Sequence, residues 1–507
     1  MTKPLAELLP GVIIHHLIGD PAVPIHSLTY DSRRVEPGSL FVAIRGQHSD
    51  GHQFIDQALA RGAVALVVDQ RHWHGSAPAD VPVVVVADSR VALAPLAAAF
   101  YGHPGREMIT IGITGTKGKS TTTDLTTQLL AAAGRNVGMI STVDFQIGTR
   151  RWANDTRQST PEAPEVQALL REMVTAGCDT AVIEATSHAL SPRWGRLVGC
   201  AFAVAVMLNI GHEHLDYHGS FEQYRADKCQ LFALLAEREG STWAIVNADD
   251  PNHSHFLSAA PATAIRLRYG LQEPAEVRGQ LLRSGPTGSL LQVDTPWGAA
   301  EMAVPLPGRF NASNVLAAVT VALTQGVSLD QVAAAVAGVR APRGRMVPVH
   351  AGQPFDVIVD YAHNPDSFTQ IFAMLRPQVQ GRMIAVFGSA GERDVAKRAI
   401  QGEIAGRMCD LLVLTDEDPR GEDREAIIAQ IAAGAEQAGK RAGSGYLCIP
   451  DRAQAIRAAF AAARPGDLVL LLGKGHEGSI IYADHSLPWD EEGEARRALA
   501  ELGYGAL

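Results

Sequence analysis

The sequence predicts an α/β protein of three domains, in which short buried strands alternate with helices. The chain has 507 residues, whereas a single hydrophobic core rarely grows beyond about 250 residues, so several domains are expected. Short apolar runs recur between helix-like stretches, a pattern typical of parallel sheets with helices on both faces. Hydrophobic residues make up 46% of the chain and charged residues 19%, which is the composition of a globular protein.

The first domain is predicted to span residues 1–105 as a small α/β module. Its strands are expected at residues 39–44, 63–68 and 81–86, and a helix is expected at 54–61. A polar connector with glycine and proline at residues 101–106 marks the first boundary.

The central domain is predicted at residues 106–341, with a parallel sheet and a glycine-rich loop between its first strand and first helix. Its elements are expected at residues 108–113, 121–133, 137–140, 180–183, 203–208 and 242–246. The connector at 340–345 leads to a third, Rossmann-like α/β domain at residues 342–507. Its strands are expected at residues 356–359, 383–387, 411–415 and 468–472, and an amphipathic helix at 427–442.

Composition and charge exclude several classes of protein. The formal net charge of −10 gives no broad basic surface for a nucleic-acid backbone. No signal sequence and no apolar run of about 18 residues is apparent, so no membrane association is expected and a cytoplasmic location is predicted. The cysteines have no paired spacing and are predicted to be reduced core residues: Cys178, Cys200, Cys229, Cys409 and Cys448.

The loop at residues 115–120 indicates phosphate binding. Backbone N–H groups of such a loop converge on phosphates, while Lys119 offsets their charge and the Ser120 hydroxyl binds Mg²⁺. The strict phosphate-loop pattern has glycine where this chain has Ile113. The alternative is a glycine-rich turn that binds nothing, but the strand before the loop and the helix after it favour a nucleotide site.

Other charged loops follow predicted strands, where parallel sheets bind their ligands. Glu184 ends one such strand, and His214 lies in a polar cluster after the next. A solvated loop is the alternative for His214, and a zinc site is disfavoured because the ligand spacing does not fit. In the third domain, loops 360–365, 388–394, 416–420 and 473–477 also follow strands and together predict a ligand site rather than solvent loops.

Together these residues resemble the Mur ligase family along essentially the whole chain, and within it the ligases that add the third amino acid of the peptidoglycan stem. The matching motifs are residues 31–33, 115–121, 159–162, 184–190, 214–219, 311–314, 360–365 and 473–477. The resemblance implies that ATP phosphorylates the carboxylate of UDP-N-acetylmuramoyl-L-alanyl-D-glutamate, and that an amine then displaces the phosphate.

The resemblance also implies the site residues for ATP and metal. Lys119, Glu184, His214 and Lys228 are the implied catalytic residues, and Ser120, Glu184, His214 and Lys228 the implied Mg²⁺ residues, with Lys228 carbamylated by CO₂. Sequence alone instead favours a solvent-exposed helix lysine at 228. The implied ATP-binding residues are Gly115, Thr116, Lys117, Gly118, Lys119, Ser120, Thr121, Asn311, Asn314, Arg345, Asp360, His363 and Asn364.

Two further groups of residues are implied for the other substrates. Those for the UDP-muramoyl dipeptide are Ser32, Ser159, Thr160, Thr186, Ser187 and Arg196, with a short insertion at residues 191–194 ahead of Arg196. Those for the free amino acid are Arg393, Glu417, Asp418, Arg420, Gly473 and Glu477. Arg420 suits the distal carboxylate of meso-diaminopimelate, which is slightly favoured, whereas Asp418 suits the lone ammonium of lysine or ornithine.

Two other functions stay open at this point. A folylpolyglutamate synthase-like ligase would share the loop and the central fold, but the domain before residue 106 argues against it. A phosphate-loop nucleotide switch would use Lys119 and Ser120 without ligating anything. The expected partners are ATP, the UDP-muramoyl dipeptide and a free amino acid, bound by a monomer whose third domain closes onto the second.

Overall fold

The computed structural model describes residues 2–46, 49–75, 80–156, 158–211, 215–285 and 288–505. The chain forms two compact units. The first comprises Met1–Gly279, Val293–Ala300 and Asn314–Ala335, and the second comprises Gln280–Gln292, Glu301–Ser313 and Val336–Leu507. Sheets and helices build both units, which confirms the predicted α/β class. The domain boundaries at residues 105 and 341 stay predictions.

The N-terminal part of the first unit contains a five-stranded sheet whose first edge strand is antiparallel and whose other strands are parallel. Across the sheet the strands are Ile14–Ile18, Val83–Val86, Ala63–Asp69, Ser39–Val42 and Ser27–Thr29. The helices are Leu5–Leu8, Ile55–Ala60 and Ser89–Phe100, and Lys3–Pro4 pairs with Pro24–Ile25. Leu40 and Val42 join one apolar cluster and Phe41 another, because side chains alternate along a strand.

The central part of the first unit contains a larger, mainly parallel sheet. Across it the strands are Arg150–Ala153, Asp144–Ile147, Val137–Ile140, Thr180–Glu184, Ile109–Thr114, Val204–Met207, Trp243–Asn247 and Ile265–Gly270. Strand Val277–Gly285 begins in the first unit, and most of its residues belong to the second. The helices are Lys119–Ala132, Ala163–Thr175, Ser187–Leu190, Leu215–His218, Phe221–Ala233 and His253–Ala259. Strands Gly288–Thr295 and Gly298–Val304 and helices Arg309–Thr324 and Leu329–Val336 follow. The carboxyl ends of the parallel strands carry most of the predicted site residues of this unit.

The C-terminal part of the second unit contains a six-stranded sheet, parallel except for its first strand. Across it the strands are Val347–Pro348, Asp356–Asp360, Leu468–Leu472, Met383–Phe387, Leu411–Leu414 and Tyr446–Cys448. The helices are Pro365–Leu375, Ala396–Met408, Arg424–Gln437, Arg452–Ala462 and Glu491–Glu501, and Ser479–Ile481 pairs with Ser486–Pro488. Because four of the parallel strands end beside one another, the four charged loops predicted from the sequence follow the same edge.

Three features differ from the sequence expectations. The hairpin of Asp144–Ile147 and Arg150–Ala153 was not predicted and runs antiparallel at the sheet edge. The helix expected at 427–442 is Arg424–Gln437, because the Asp423 carboxylate caps its start and Gly439 takes a left-handed φ of 87° beyond its end. Cys448 is exposed at an edge strand, so its prediction as a core residue is wrong.

The described cysteines are all free thiols. Among the described residues, no helix combines the length and the apolar composition needed to cross a bilayer.

Candidate active site

The loop for which the sequence predicts phosphate binding lies between strand Ile109–Thr114 and helix Lys119–Ala132. Gly118 ends this loop with a φ of 85°, a left-handed conformation that glycine adopts without strain. A β-carbon at Gly118 would also collide with the side-chain oxygen of Asn314. The helix begins at Lys119, so its first N–H groups face the loop and suit an anion.

Asn209 holds the loop in shape and was missed by the sequence analysis. Its side-chain oxygen accepts from Lys117 N at 2.9 Å, its amide donates to Lys117 O at 2.9 Å, and its backbone oxygen accepts from Thr116 N at 2.8 Å. Asn209 lies just beyond strand Val204–Met207, so its position at a strand end was the available signal.

Two lysines converge on the same backbone carbonyl of the loop. Lys119 Nζ donates to Gly115 O at 3.1 Å and to Thr116 O at 2.9 Å, while Lys228 Nζ donates to Gly115 O at 2.6 Å. Lys228 is only 1% exposed and its Nζ lies 4.8 Å from the centre of the Tyr224 ring. The alternative of a solvent-exposed helix lysine is therefore wrong.

Glu184 lies at the end of strand Thr180–Glu184 and contacts the start of the loop helix. One carboxylate oxygen accepts from Ser120 Oγ at 3.1 Å, and the other accepts from Ser141 Oγ at 3.0 Å and Thr142 N at 2.9 Å. The carboxylate oxygens of Glu184 and the hydroxyl oxygen of Ser120 are ligands of the kind that Mg²⁺ prefers.

The predicted metal residue His214 lies outside the described residues. Within the part of the chain that the structure describes, no three His, Cys, Asp or Glu side chains are grouped as metal ligands.

Several residues predicted for the muramoyl dipeptide surround the same strand end. Thr160 Oγ1 donates to Glu184 O at 2.7 Å and lies 3.2 Å from Thr186 Oγ1. Arg196 donates to Thr160 O at 3.0 Å, which places its guanidinium group there as well. Ser187 Oγ lies 3.1 Å from the Nε2 atom of the buried His218.

Two further residues were predicted for the UDP-muramoyl dipeptide, Ser159 and Ser32. Ser159 is half-buried directly before Thr160. Ser32 lies in the first domain, where its hydroxyl donates to Gln57 Oε1 at 3.0 Å.

In the second unit, Asp360 is the last residue of strand Asp356–Asp360, and Tyr361 to Asn364 follow it. The Asp360 carboxylate accepts from Met346 N and Ala362 N, both at 2.8 Å. Burial raises the pKa of Asp360, and the Arg345 guanidinium opposes that rise. Arg345 also lies 4.7 Å from the centre of the Tyr361 ring.

His363 and Asn364 continue this loop, and Asn311 lies apart from it along the chain. His363 Nδ1 lies 2.9 Å from Tyr361 O. The Asn364 side chain accepts from Ser367 N and caps helix Pro365–Leu375, so it also has a structural role. The Asn311 amide donates to Pro307 O at 2.9 Å within its own helix start.

A buried lysine joins two of the loops predicted for the amino acid. Lys474 Nζ donates to Asp418 Oδ1 at 2.8 Å and to Glu477 Oε2 at 2.6 Å, and the Lys474 side chain is fully buried. Glu477 Oε1 accepts from the Tyr361 hydroxyl at 3.1 Å. The negative charge of Asp418 is therefore already paired within the protein.

The other predicted amino-acid residues lie near this pair or at the surface. Glu417 is 7% exposed, and its Oε2 has no hydrogen-bond partner among the described residues, while a β-carbon at Gly473 would lie 3.0 Å from it. Arg420 has a left-handed φ of 55°, a strained conformation of the kind that concentrates at functional sites. Arg420 also lines a cavity of 340 Å³ with Tyr482 and His485. Arg393 is exposed.

Three known protein domains match successive parts of the chain, in the order of the three domains predicted from the sequence. Residues 24–101 match the Mur ligase family, catalytic domain; residues 113–322 match the Mur ligase middle domain; and residues 344–475 match the Mur ligase, glutamate ligase domain. These three matches confirm the predicted three-domain architecture.

Similar whole proteins cover nearly all of the chain. A UDP-N-acetylmuramyl-tripeptide synthetase from Roseiflexus sp. (strain RS-1) is 59% identical and covers 97% of this chain and 99% of its own length. A UDP-N-acetylmuramoyl-L-alanyl-D-glutamate–2,6-diaminopimelate ligase from Geobacillus kaustophilus (strain HTA426) is 39% identical and covers 98% of this chain and 99% of its own length. A solved structure with the same ligase name has a TM-score of 0.71 and 28% sequence identity, and the match covers 99% of this chain and 100% of that one.

Three family domains in register and relatives of this identity show that the chain belongs to the Mur ligase family, as its motifs predict, and that it is an ATP-dependent ligase.

Proposed function

We propose that this ligase adds the third amino acid to UDP-N-acetylmuramoyl-L-alanyl-D-glutamate, with release of ADP and phosphate, in peptidoglycan synthesis. The observation that carries the proposal is the contact of Glu184 with both Ser120 of the phosphate loop and Thr160 of the dipeptide group. One residue thus joins a site for ATP to a site for a second substrate. The names of the similar proteins support the same reaction.

The phosphate loop has the groups needed to activate a carboxylate. Lys119 stabilises charge on the transferred phosphoryl group, and the N–H groups of residues 115–121 hold the nucleotide phosphates. The amine of the amino acid then attacks the acyl phosphate and phosphate leaves. Asn314 lies against the loop at Gly118. The proposed ATP set also includes Asn311, Arg345, Asp360, His363 and Asn364.

The residues near the loop fit Mg²⁺, which would neutralise phosphate charge as an electrostatic clamp. Ser120 and Glu184 supply oxygen ligands, and His214 would supply an imidazole. Lys228 would support this site as a carbamate, because the deprotonated amine adds to CO₂ with loss of a proton and becomes an anion. The burial of Lys228 beside Gly115 supports a role at the site rather than at the surface.

Ser32 is proposed to seat the uridine nucleotide, and the other dipeptide residues to bind the muramoyl dipeptide. These are Ser159, Thr160, Thr186, Ser187 and Arg196. The contact of Arg196 with Thr160 O supports a common binding surface, because both lie beside the end of the Glu184 strand.

For the amino acid we favour meso-diaminopimelate over lysine or ornithine. Arg420 offers a guanidinium group for a distal carboxylate, with Arg393, Glu417, Gly473 and Glu477 around the rest of the molecule. Lys474 offsets part of the Asp418 charge, although its single ammonium also pairs with Glu477, and this weakens the case for a lone substrate ammonium at Asp418.

A single assay tests the proposal against its two alternatives. The protein is incubated with ATP, Mg²⁺ and UDP-N-acetylmuramoyl-L-alanyl-D-glutamate, and diaminopimelate, lysine or ornithine is added in turn while phosphate is measured. Phosphate release that requires both the nucleotide substrate and one amino acid supports the proposal. ATP hydrolysis indifferent to both supports a nucleotide switch, and glutamate addition to a folate supports a folylpolyglutamate synthase-like ligase.

The setting of the reaction is also part of the proposal. ATP, the UDP-linked dipeptide and a free amino acid are soluble metabolites, so we place the enzyme in the cytoplasm as a monomer without nucleic-acid or membrane partners. Gel filtration with light scattering measures the oligomeric state directly.

A further inference from the structure

The short insertion ahead of Arg196 brings an aromatic ring to the junction of the first and central domains. The guanidinium carbons of Arg90 and Arg196 lie 4.0 Å and 5.1 Å from the centre of the Trp194 ring. Arg90 belongs to helix Ser89–Phe100 of the first domain, whereas Trp194 and Arg196 follow helix Ser187–Leu190 of the central domain. Guanidinium groups from both domains therefore lie close to the same Trp194 ring.

Glu162 contacts the same two arginines. Arg196 donates to Glu162 Oε1 at 2.8 Å, and Arg90 lies 3.4 Å from each carboxylate oxygen. The side chains are largely buried, at 8% exposure for Glu162, 12% for Arg90 and 11% for Arg196. The Glu162 carboxylate thus contacts two buried guanidinium groups. The face of the Trp194 ring provides additional stabilisation for these two cations.

The Trp194 ring is itself fixed by neighbours in the central domain. Its indole N–H donates to the Tyr217 hydroxyl. The Tyr217 ring lies 4.1 Å from the ring of His188, which directly follows Ser187 in the chain. The orientation of Trp194 is therefore linked to the segment proposed to bind the muramoyl dipeptide.

We propose that Trp194 and Arg90 are positioning residues that hold the Arg196 guanidinium group in place for the muramoyl dipeptide. This inference rests on the proposed function, because it requires Arg196 to contact that substrate. Without the ring, Arg90 and Arg196 compete for Glu162, and Arg196 loses its fixed direction beside Thr160. The first domain thereby contributes to dipeptide affinity through Arg90 as well as through its own nucleotide site.

Steady-state kinetics of the full-length enzyme tests this role. We expect Trp194→Leu and Arg90→Met each to raise the KM for UDP-N-acetylmuramoyl-L-alanyl-D-glutamate about five- to thirtyfold. The kcat and the KM for ATP should stay within about twofold, because the phosphate loop is untouched. Trp194→Phe, which keeps an aromatic face, should restore most of the affinity. The double variant should have a dipeptide KM little higher than that of the more impaired single variant, because Trp194 and Arg90 both act on the same Arg196 guanidinium group.

Arg171→Met is the matched control. Arg171 in helix Ala163–Thr175 also reaches the end of the first domain, where it donates to Tyr101 O at 2.8 Å and Gly102 O at 3.1 Å. It does not touch Trp194 or Glu162 in the described structure, so its loss should leave the dipeptide KM within about twofold.

Several results would overturn the inference. These are an unchanged dipeptide KM in a folded Trp194→Leu enzyme, an equal rise in the KM for ATP, or an equal effect of Arg171→Met. Thermal unfolding of each variant establishes that it is folded. If the wild-type enzyme makes no tripeptide at all, the proposed function fails and this inference fails with it. If the wild type ligates normally while the variants match it, only this inference fails.

Discussion

The Nζ atom of Lys228 lies 2.6 Å from the carbonyl oxygen of Gly115, inside the protein and against the first residue of the phosphate loop. A cation buried there contacts the loop directly, whereas a carbamate on the same nitrogen would bring an anion to the proposed Mg²⁺ site. The chemical state of this one nitrogen therefore sets the sign of the local charge.

We expect Lys228→Ala to lower ligation by roughly a hundredfold or more, because the site would lose the proposed carbamate anion. Added short-chain carboxylates such as formate should restore part of the activity by filling the space. Phosphate release is measured with and without the carboxylate, and Lys440→Ala provides a surface-lysine control. Full activity of Lys228→Ala without rescue would remove the carbamate from the mechanism.

We expect Gly118→Ala to raise the KM for ATP at least about tenfold, because the new β-carbon collides with Asn314 and displaces the loop. Gly134→Ala is the matched control, since Gly134 has nearly the same φ of 87° but open space around its β-position. That control should lose only about 1 kcal/mol of stability from left-handed strain. Equal ATP affinities for the two variants would show that the Asn314 contact is unimportant.

We expect Asp418→Asn to reduce kcat/KM for every accepted amino acid by about tenfold without changing their order. The substitution removes one of the two carboxylates that neutralise the buried Lys474 ammonium, so the loops loosen whichever amino acid is used. The kcat/KM values for diaminopimelate, lysine and ornithine are compared in wild type and variant. A variant that loses lysine or ornithine while it gains diaminopimelate would instead make Asp418 the receptor of the substrate ammonium.

We expect Glu237→Gln to stabilise the protein at neutral pH by up to about 2 °C in Tm. Burial raises the pKa of Glu237 above the ordinary glutamate value of 4.5, although Gly199 N and Ala201 N donate to its carboxylate. The folded state therefore binds the proton more tightly than the unfolded state, so wild-type stability falls as pH rises from about 4.5 through the raised pKa. The advantage of the variant should shrink as the pH falls below that window. An advantage that is independent of pH would contradict this account.

The sequence predicted most of the parallel strands at the centre of each sheet, the glycine-rich loop between a strand and a helix, and the strand-end position of Glu184, because these features follow from local patterns of apolar residues and glycine. It did not predict the partners of those residues. Asn209 holds a loop 92 positions earlier in the chain, and Lys474 pairs with Asp418 56 positions away. Such pairs depend on which strands become neighbours, and apolar periodicity does not encode strand order. The position of Lys228 on a helix suggested exposure, whereas packing against the loop buries it.

The position of Lys474 between Asp418 and Glu477 has an evolutionary consequence. A substitution at 418 changes the charge around a buried cation at the same time as it changes the surface offered to the amino acid. Asp418 and Glu477 share the Lys474 ammonium, and residues that share a partner give non-additive effects when they are changed together. A lineage that loses the carboxylate at 418 therefore depends on Glu477 alone to neutralise Lys474, so the loss of Glu477 becomes more costly once position 418 has changed.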